Sequence, residues 1–211
     1  MPKPFNKMTA IAAPIMRGNI DTDVIIRIER LVGNSIRGTL GKWAFGALRY
    51  LPDGSENPEF ILNREPYRQA EILVTGPNFG CGSSREGAVW SLQELGIRAV
   101  IGSSFGDIFF ANCFQNGILP IVMDKTTVDG LAAEIEITQG AGRIGIDLEA
   151  QAIISPTGKR HRFEIDPRRR AGLLNGLDEV MLTLQRDDEI RAFQAADHVA
   201  RPWIHLAGKS A

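Results

Sequence analysis

Glu71-Ile-Leu-Val-Thr-Gly76, followed almost at once by Gly80-Cys-Gly-Ser-Ser-Arg-Glu86, decides how this chain is built. The first stretch is a short, unbroken apolar run of the kind that forms a strand buried on both faces, and the glycine-rich loop behind it leads into a helix. Ala88, Val89, Leu92 and Leu95 recur at helical spacing, and Gly96 stands where a C-terminal glycine ends a helix. A second apolar run, Ala99 to Gly102, leads to a helix with Phe105, Ile108, Phe109 and Cys113 on one side and Gly117 at its end. A third run, Ile118 to Met123, completes a βαβαβ unit. These crossovers predict an α/β fold whose sheet is parallel in this region, with loops at the carboxyl ends of the strands free to bind a ligand. Gly80 to Arg85 is one such loop.

Beyond this centre the pattern changes. Ile144 to Ile154 partly alternates, Ser155-Pro-Thr-Gly158 reads as a turn, and His161 to Ile165 returns, which predicts an antiparallel hairpin. A short helix is expected over Pro167 to Asn175, and an amphipathic one from about Asp188 to Asp197 with Ile190 and Phe193 facing inward. Residues 186–211 are thus expected to form a C-terminal helix and tail. Val32 to Gly46 carries four glycines and little apolar periodicity, so residues 27–46 are expected to form a mobile loop or lid. The whole, residues 1–211, is expected to be one domain.

Bulk properties narrow the function. The 211 residues are 44% hydrophobic and carry a net charge of -1, enough for a sizeable core and without a global field to attract nucleic acid or an anionic membrane. Partners are therefore expected to be small molecules or proteins. Two cysteines, Cys81 and Cys113, lie in apolar surroundings rather than in a disulfide framework, and no apolar targeting or spanning segment occurs, so a cytoplasmic setting is expected. His161, His198 and His205 show no metal-ligand spacing. Arg168-Arg169-Arg170 reads as a solvated helix face or a contact with a partner chain.

The chemistry concentrates in Asn78-Phe-Gly-Cys-Gly-Ser-Ser-Arg-Glu86. Free N–H groups at a helix start favour an anion, the glycines let it approach, and Arg85 can grip a carboxylate through two parallel hydrogen bonds. Ser83-x-x-Glu86 is also a capping box, which would satisfy the helix start with no catalysis at all. A dinucleotide fingerprint fails, because Arg85 stands where a third glycine is needed for close packing.

The same nine residues resemble the motif of the aconitase superfamily in the form typical of 3-isopropylmalate dehydratase small subunits. Asn19-Ile-Asp-Thr-Asp-Val-Ile-Ile26, Ser104-Phe-Gly-Asp-Ile-Phe-Phe110, Asn112 to Pro120, Ile146 to Gln151, Asn175 to Asp178 and Leu182 to Gln185 extend the resemblance over nearly the whole chain. It implies the swivelling α/β domain of aconitases and an interconversion of 2-isopropylmalate and 3-isopropylmalate through isopropylmaleate, a step of leucine biosynthesis. It further implies Ser83 as the base, acting as an alkoxide, and Ser84 and Arg85 as holders of a substrate carboxylate, with Asp21, Thr22 and Asp23 near the site. The resemblance places a [4Fe-4S] cluster on a separate large subunit, held by three cysteines of that other polypeptide, so this chain alone would be inactive. Three positions depart from the pattern: Gly87 stands where the motif continues with histidine, Arg27 where proline is usual, and Arg170-Ala171 where Arg-His-Cys is common. They leave Ser83, Ser84 and Arg85 intact but alter their surroundings. The alternatives are therefore a related hydro-lyase for another substituted malate or maleate, of methylmalate or dimethylmaleate type, and a non-catalytic binding or regulatory subunit.

Overall fold

A computed structural model describes residues 3–32 and 37–204. Gly33 to Ile36 of the expected loop, and His205 with the end of the tail, lie outside the described residues. In chain order the elements are β1 (Lys7–Ile15), α1 (Thr22–Ile25), α2 (Gly46–Arg49), β2 (Ile72–Thr75), α3 (Glu86–Leu95), β3 (Ala99–Gly102), α4 (Asp107–Gln115), β4 (Leu119–Val122) and α5 (Lys125–Ile137). They are followed by β5 (Arg143–Asp147), β6 (Ala152–Ile154), β7 (Arg160–Arg162), α6 (Pro167–Asn175), α7 (Glu179–Leu184) and α8 (Asp187–Ala200). The strands join in the order β4-β3-β2-β1-β5-β6-β7. From β4 to β1 the pairing is parallel, and from β1 to β7 it is antiparallel.

The βαβαβ unit is present as expected, because β2 and β3 are buried at every position and each is followed by a helix that packs back on the sheet. α3 buries Ala88, Val89 and Leu92, and Gly96 closes it in the left-handed conformation, φ +104°. In α4 the buried side chains are Phe109 and Cys113, four residues apart on one stripe. Ile108 stands about 100° around the helix from Phe109 and is exposed, contrary to the inward position expected for it.

Four further expectations need correction. β1 lies at the centre of the sheet although the sequence pattern marks no strand there. α5, capped by Asp124 and burying Val128, Leu131, Ala132 and Ile135, is likewise an addition to the expected elements. The expected single hairpin is two: Asp147 Oδ1 accepts from Ala150 N at 2.9 Å and turns the chain between β5 and β6, and the Ser155–Gly158 turn then leads into β7, which ends at Arg162. The C-terminal helix is present as α8, but no residue of it is buried and Phe193 is exposed. Ile190 is half-buried, and with Phe193 it lines an open cleft against Arg168 and Ala171 of α6 and Leu182 of α7, so the expected apolar face is turned to these helices but only partly covered.

The segment expected as a loop, residues 27–46, holds two single turns of 3-10 helix, Ile28–Arg30 and Gly41–Trp43. Its described end is tied to α3, where the Glu94 carboxylate accepts from the amides of Gly38, Leu40 and Gly41.

Candidate active site

β1, β2 and β3 run parallel, so the loops at their carboxyl ends meet at one edge of the sheet. The loop after β2 is laced to both neighbours. Asn78 N donates to Ser104 Oγ at 2.8 Å, Gly80 N to the Ile20 carbonyl at 2.7 Å, and Gly106 N to the Phe79 carbonyl at 2.9 Å. Gly80 has φ +72°, and a Cβ there would lie 2.2 Å from Phe109 Cγ. Only glycine lets this backbone rest on the ring, which itself meets Phe79 edge-on at a centroid separation of 5.4 Å.

The two segments singled out in the sequence come together here. Asp21 pairs with Cys81 in an isolated parallel bridge, and Thr22 N donates to the Cys81 carbonyl at 2.9 Å. Thr22 Oγ1, on a buried side chain, donates to the Ser83 carbonyl at 2.9 Å. Asp23 accepts from Arg85 Nη1 in an ion pair. Asp21 also caps α1, accepting from Val24 N at 2.7 Å, so the plain turn-forming role and the placement beside Ser83 are both present. Thr22 and Asp23 thus fix, respectively, the backbone of Ser83 and the side chain of Arg85.

Ser83 does not cap α3. The residue at the N-cap is Arg85, with extended backbone and no side-chain capping bond, so the capping box expected from Ser83-x-x-Glu86 is not formed. The Ser83 carbonyl, which an N-cap residue would offer to the helix, instead accepts from Thr22 of α1, and the helix starts at Glu86. Ser83 and Ser84 are exposed, and neither hydroxyl is hydrogen-bonded among the described residues. Arg85 is the less exposed member of its ion pair, with a side chain 15% exposed against 51% for Asp23.

Beside Ser84 and Arg85 opens a cavity of about 260 Å³, also lined by Leu31, Leu40, Gly87 and Trp90. A Cβ on Gly87 would lie 2.4 Å from Leu31 Cδ2, so the absence of a side chain there admits Leu31 to the start of α3. This is the structural counterpart of the departure at position 87. Larger cavities lie elsewhere, between α4 and α6 and around Arg30 and Trp43, and include neither serine. Two anchors that sequence reasoning does not pick out are Glu94 and Asn116. Asn116 lies in the Asn112–Pro120 segment, where resemblance is visible without a role.

Among the described residues no group of three or more His, Cys, Asp or Glu side chains could hold a metal ion. Cys81 is half-buried and Cys113 fully buried, with burial raising the Cys113 thiol well above its ordinary pKa; neither is in a disulfide. This donor set does not make an iron-sulfur site in this chain. Among the described residues no helix is long and apolar enough to cross a membrane.

The profile of the aconitase C-terminal domain matches residues 2–126, one described as LeuD_N matches residues 129–167, and that of the C-terminal domain of the 3-isopropylmalate dehydratase small subunit matches residues 182–206. A 3-isopropylmalate dehydratase small subunit of Gluconacetobacter diazotrophicus is 52% identical, covering 94% of this chain and 95% of its own length. One of Rhodospirillum rubrum is 50% identical, covering 96% of this chain and 97% of its own. A crystal structure titled as 3-isopropylmalate dehydratase from Methanocaldococcus jannaschii has the same fold, with a TM-score of 0.63 at 24% identity over 89% of this chain and 99% of its own. Matched from end to end by relatives of one kind, and built on the fold they share, the chain belongs to the 3-isopropylmalate dehydratase small-subunit family of the aconitase superfamily.

Proposed function

We propose that the chain is the small subunit of a heteromeric hydro-lyase that interconverts 2-isopropylmalate and 3-isopropylmalate through isopropylmaleate in leucine biosynthesis. The observation that carries this reading is the convergence of Thr22 and Asp23 on Ser83 and Arg85, which ties the backbone of the serine and the guanidinium of the arginine to α1.

In this reading Arg85 and Ser84 hold one carboxylate of the substrate. Arg85 Nη1 stays on Asp23, and the rest of the guanidinium faces the ligand. Ser83 Oγ takes the proton from the carbon beside that carboxylate as hydroxide leaves the neighbouring carbon. The proton and hydroxide are then returned with their positions exchanged. A serine hydroxyl is scarcely ionised at neutral pH, so the alkoxide needs positive potential, which Arg85 and the N-terminal end of α3 supply once water is excluded. The electrophile for the hydroxide belongs to the large subunit, where a [4Fe-4S] cluster provides Lewis acidity. We place the complex in the cytoplasm, in keeping with two cysteines outside any disulfide.

The test is anaerobic formation of the unsaturated diacid from 3-isopropylmalate, followed by ultraviolet absorbance, using this chain with a cluster-loaded large subunit. Ser83→Ala should lower kcat by about 10²–10⁴ with assembly intact, as expected for loss of a positioned base. Unchanged turnover would overturn the assignment. The second reading, a hydro-lyase for a different substituted malate, is favoured by Leu31 packed over Gly87 at the cavity wall. Turnover of methylmalate in preference to 3-isopropylmalate would establish it.

A further inference from the structure

Asn116 closes α4 and is 4% exposed, and every hydrogen-bonding position of its carboxamide is used. Oδ1 accepts from Trp90 Nε1 at 3.0 Å and from Arg37 Nη2 at 2.9 Å. Nδ2 donates to Glu86 Oε1 at 2.9 Å and to the Asn112 carbonyl at 3.0 Å. The orientation is forced, because an indole N–H and a guanidinium can only donate, while a carbonyl and a carboxylate accept. Arg37 is further held 4.8 Å from the centre of the Trp90 ring.

Glu86 follows Arg85 directly and lies in the first turn of α3. A carboxylate there is drawn to the positive end of the helix and to the neighbouring guanidinium, the two features that would receive a substrate carboxylate. We propose that Asn116 is a positioning residue: by holding the exposed Glu86 carboxylate through its own buried amide, it keeps that carboxylate from competing for Arg85. Arg37, on the far side of the same amide, contributes a positive charge that favours Glu86 staying there. This inference rests on the assignment of Arg85 as a carboxylate holder.

The assembled complex tests it by two measurements: the calorimetric Kd for malate, a dicarboxylate without an alkyl branch, and kcat and KM for 3-isopropylmalate. Asn116→Asp keeps an acceptor for Trp90 and Arg37 but turns an oxygen toward Glu86. It should raise the malate Kd and the KM about tenfold while kcat stays within about threefold. Adding Glu86→Gln, which removes the competing charge and supplies a donor to Asp at position 116, should bring both values back within about threefold of the unaltered complex. If the aspartate variant does not assemble, Asn116→Ser releases Glu86 in the same way, with the same rescue. Unaltered Kd and KM, or a loss that Glu86→Gln does not restore, would overturn the proposal and leave Asn116 a packing residue. An unaltered complex that binds malate but does not turn over 3-isopropylmalate would remove the substrate assignment alone, with the malate series still deciding on Asn116. One that binds neither would remove both.

Discussion

Replacing Thr22 by valine preserves the shape of a side chain that is 2% exposed and deletes one hydrogen bond, the 2.9 Å contact from Oγ1 to the Ser83 carbonyl. Such a bond contributes about 0.5–1.5 kcal/mol net. Ser83 is exposed, so its freed carbonyl is rehydrated and the loss falls toward about 1 kcal/mol. For a chain of this size that corresponds to a fall in Tm of roughly 2–4 °C. The backbone bond from Thr22 N to the Cys81 carbonyl survives, so the loop stays on α1 while Ser83 loses its own fixing point. A displacement of about 1 Å at a reacting group costs on the order of a hundredfold. Thr22→Val should therefore lower kcat ten- to a hundredfold in the assembled enzyme, far more than the small change in Tm explains, and Thr22→Ser should retain activity. The assay pairs a thermal melt of the chain with the rate of diacid formation at saturating large subunit. An unaltered kcat in the valine variant, or an equal loss in the serine variant, would refute the idea that this bond aligns Ser83.

Two other outcomes concern stability. Gly80→Ala combines left-handed strain, about 1–2 kcal/mol, with overlap against the Phe109 ring, about 1–3 kcal/mol, whereas Gly54→Ala at φ +84° meets open space and carries only the strain. Urea unfolding of the two variants should separate them by about 1–3 kcal/mol, and equal losses would count against the close packing of loop on ring. The Asp147 carboxyl is held below its ordinary value of 3.8 by the Ala150 amide and the Lys7 ammonium. A depressed carboxyl adds stability above its unfolded pKa and loses it as pH falls through the folded one. Asp147→Asn should accordingly lower Tm slightly at neutral pH, with the difference closing as pH drops below about 3.8. A gap that persists in strong acid would sink that account.

The central strands are legible because β2 and β3 are buried on both faces, which leaves an uninterrupted apolar run in the sequence. β1 is not, for it is rich in alanine and contains Pro14, both poor signs of a central strand. The structure accommodates the proline by register. The Ile11 and Ile15 carbonyls accept from the Glu71 and Gly76 amides, so alternate residues from Ile11 onward turn their polar backbone to β2. The nitrogen of Pro14 therefore faces the other side, where pairing with β5 has already ended at Ile11. α5 carries a readable spacing, Val128, Leu131, Ala132 and Ile135, that Gly130 and two threonines obscure. At the site, Ser83, Ser84 and Arg85 stand out as residue types suited to an anion. That Thr22 and Asp23 hold them depends on pairing across about sixty residues, which no local pattern encodes. The same holds for Asn116, whose partners come from α3 and from Arg37. The α8 stripe shows the converse: periodicity reports an apolar face but not how far its neighbours cover it, and here α6 and α7 leave Phe193 exposed.

The mixed pairing of β1 also bears on how the chain matures. This strand precedes the other six in chain order, yet its parallel partner begins at Ile72 and its antiparallel partner ends at Asp147. At ~5–20 residues per second the completed β1 waits about 3–12 s for β2 and about 7–26 s for β5. Until β2 exists both backbone edges of this apolar strand are open to wrong partners, and from then until β5 exists the β5 edge still is. Substitutions in Ala10 to Ile15 are thus expected to lower the yield of correctly folded chain more than they lower the melting temperature of what does fold, since they act while the ribosome is still at work.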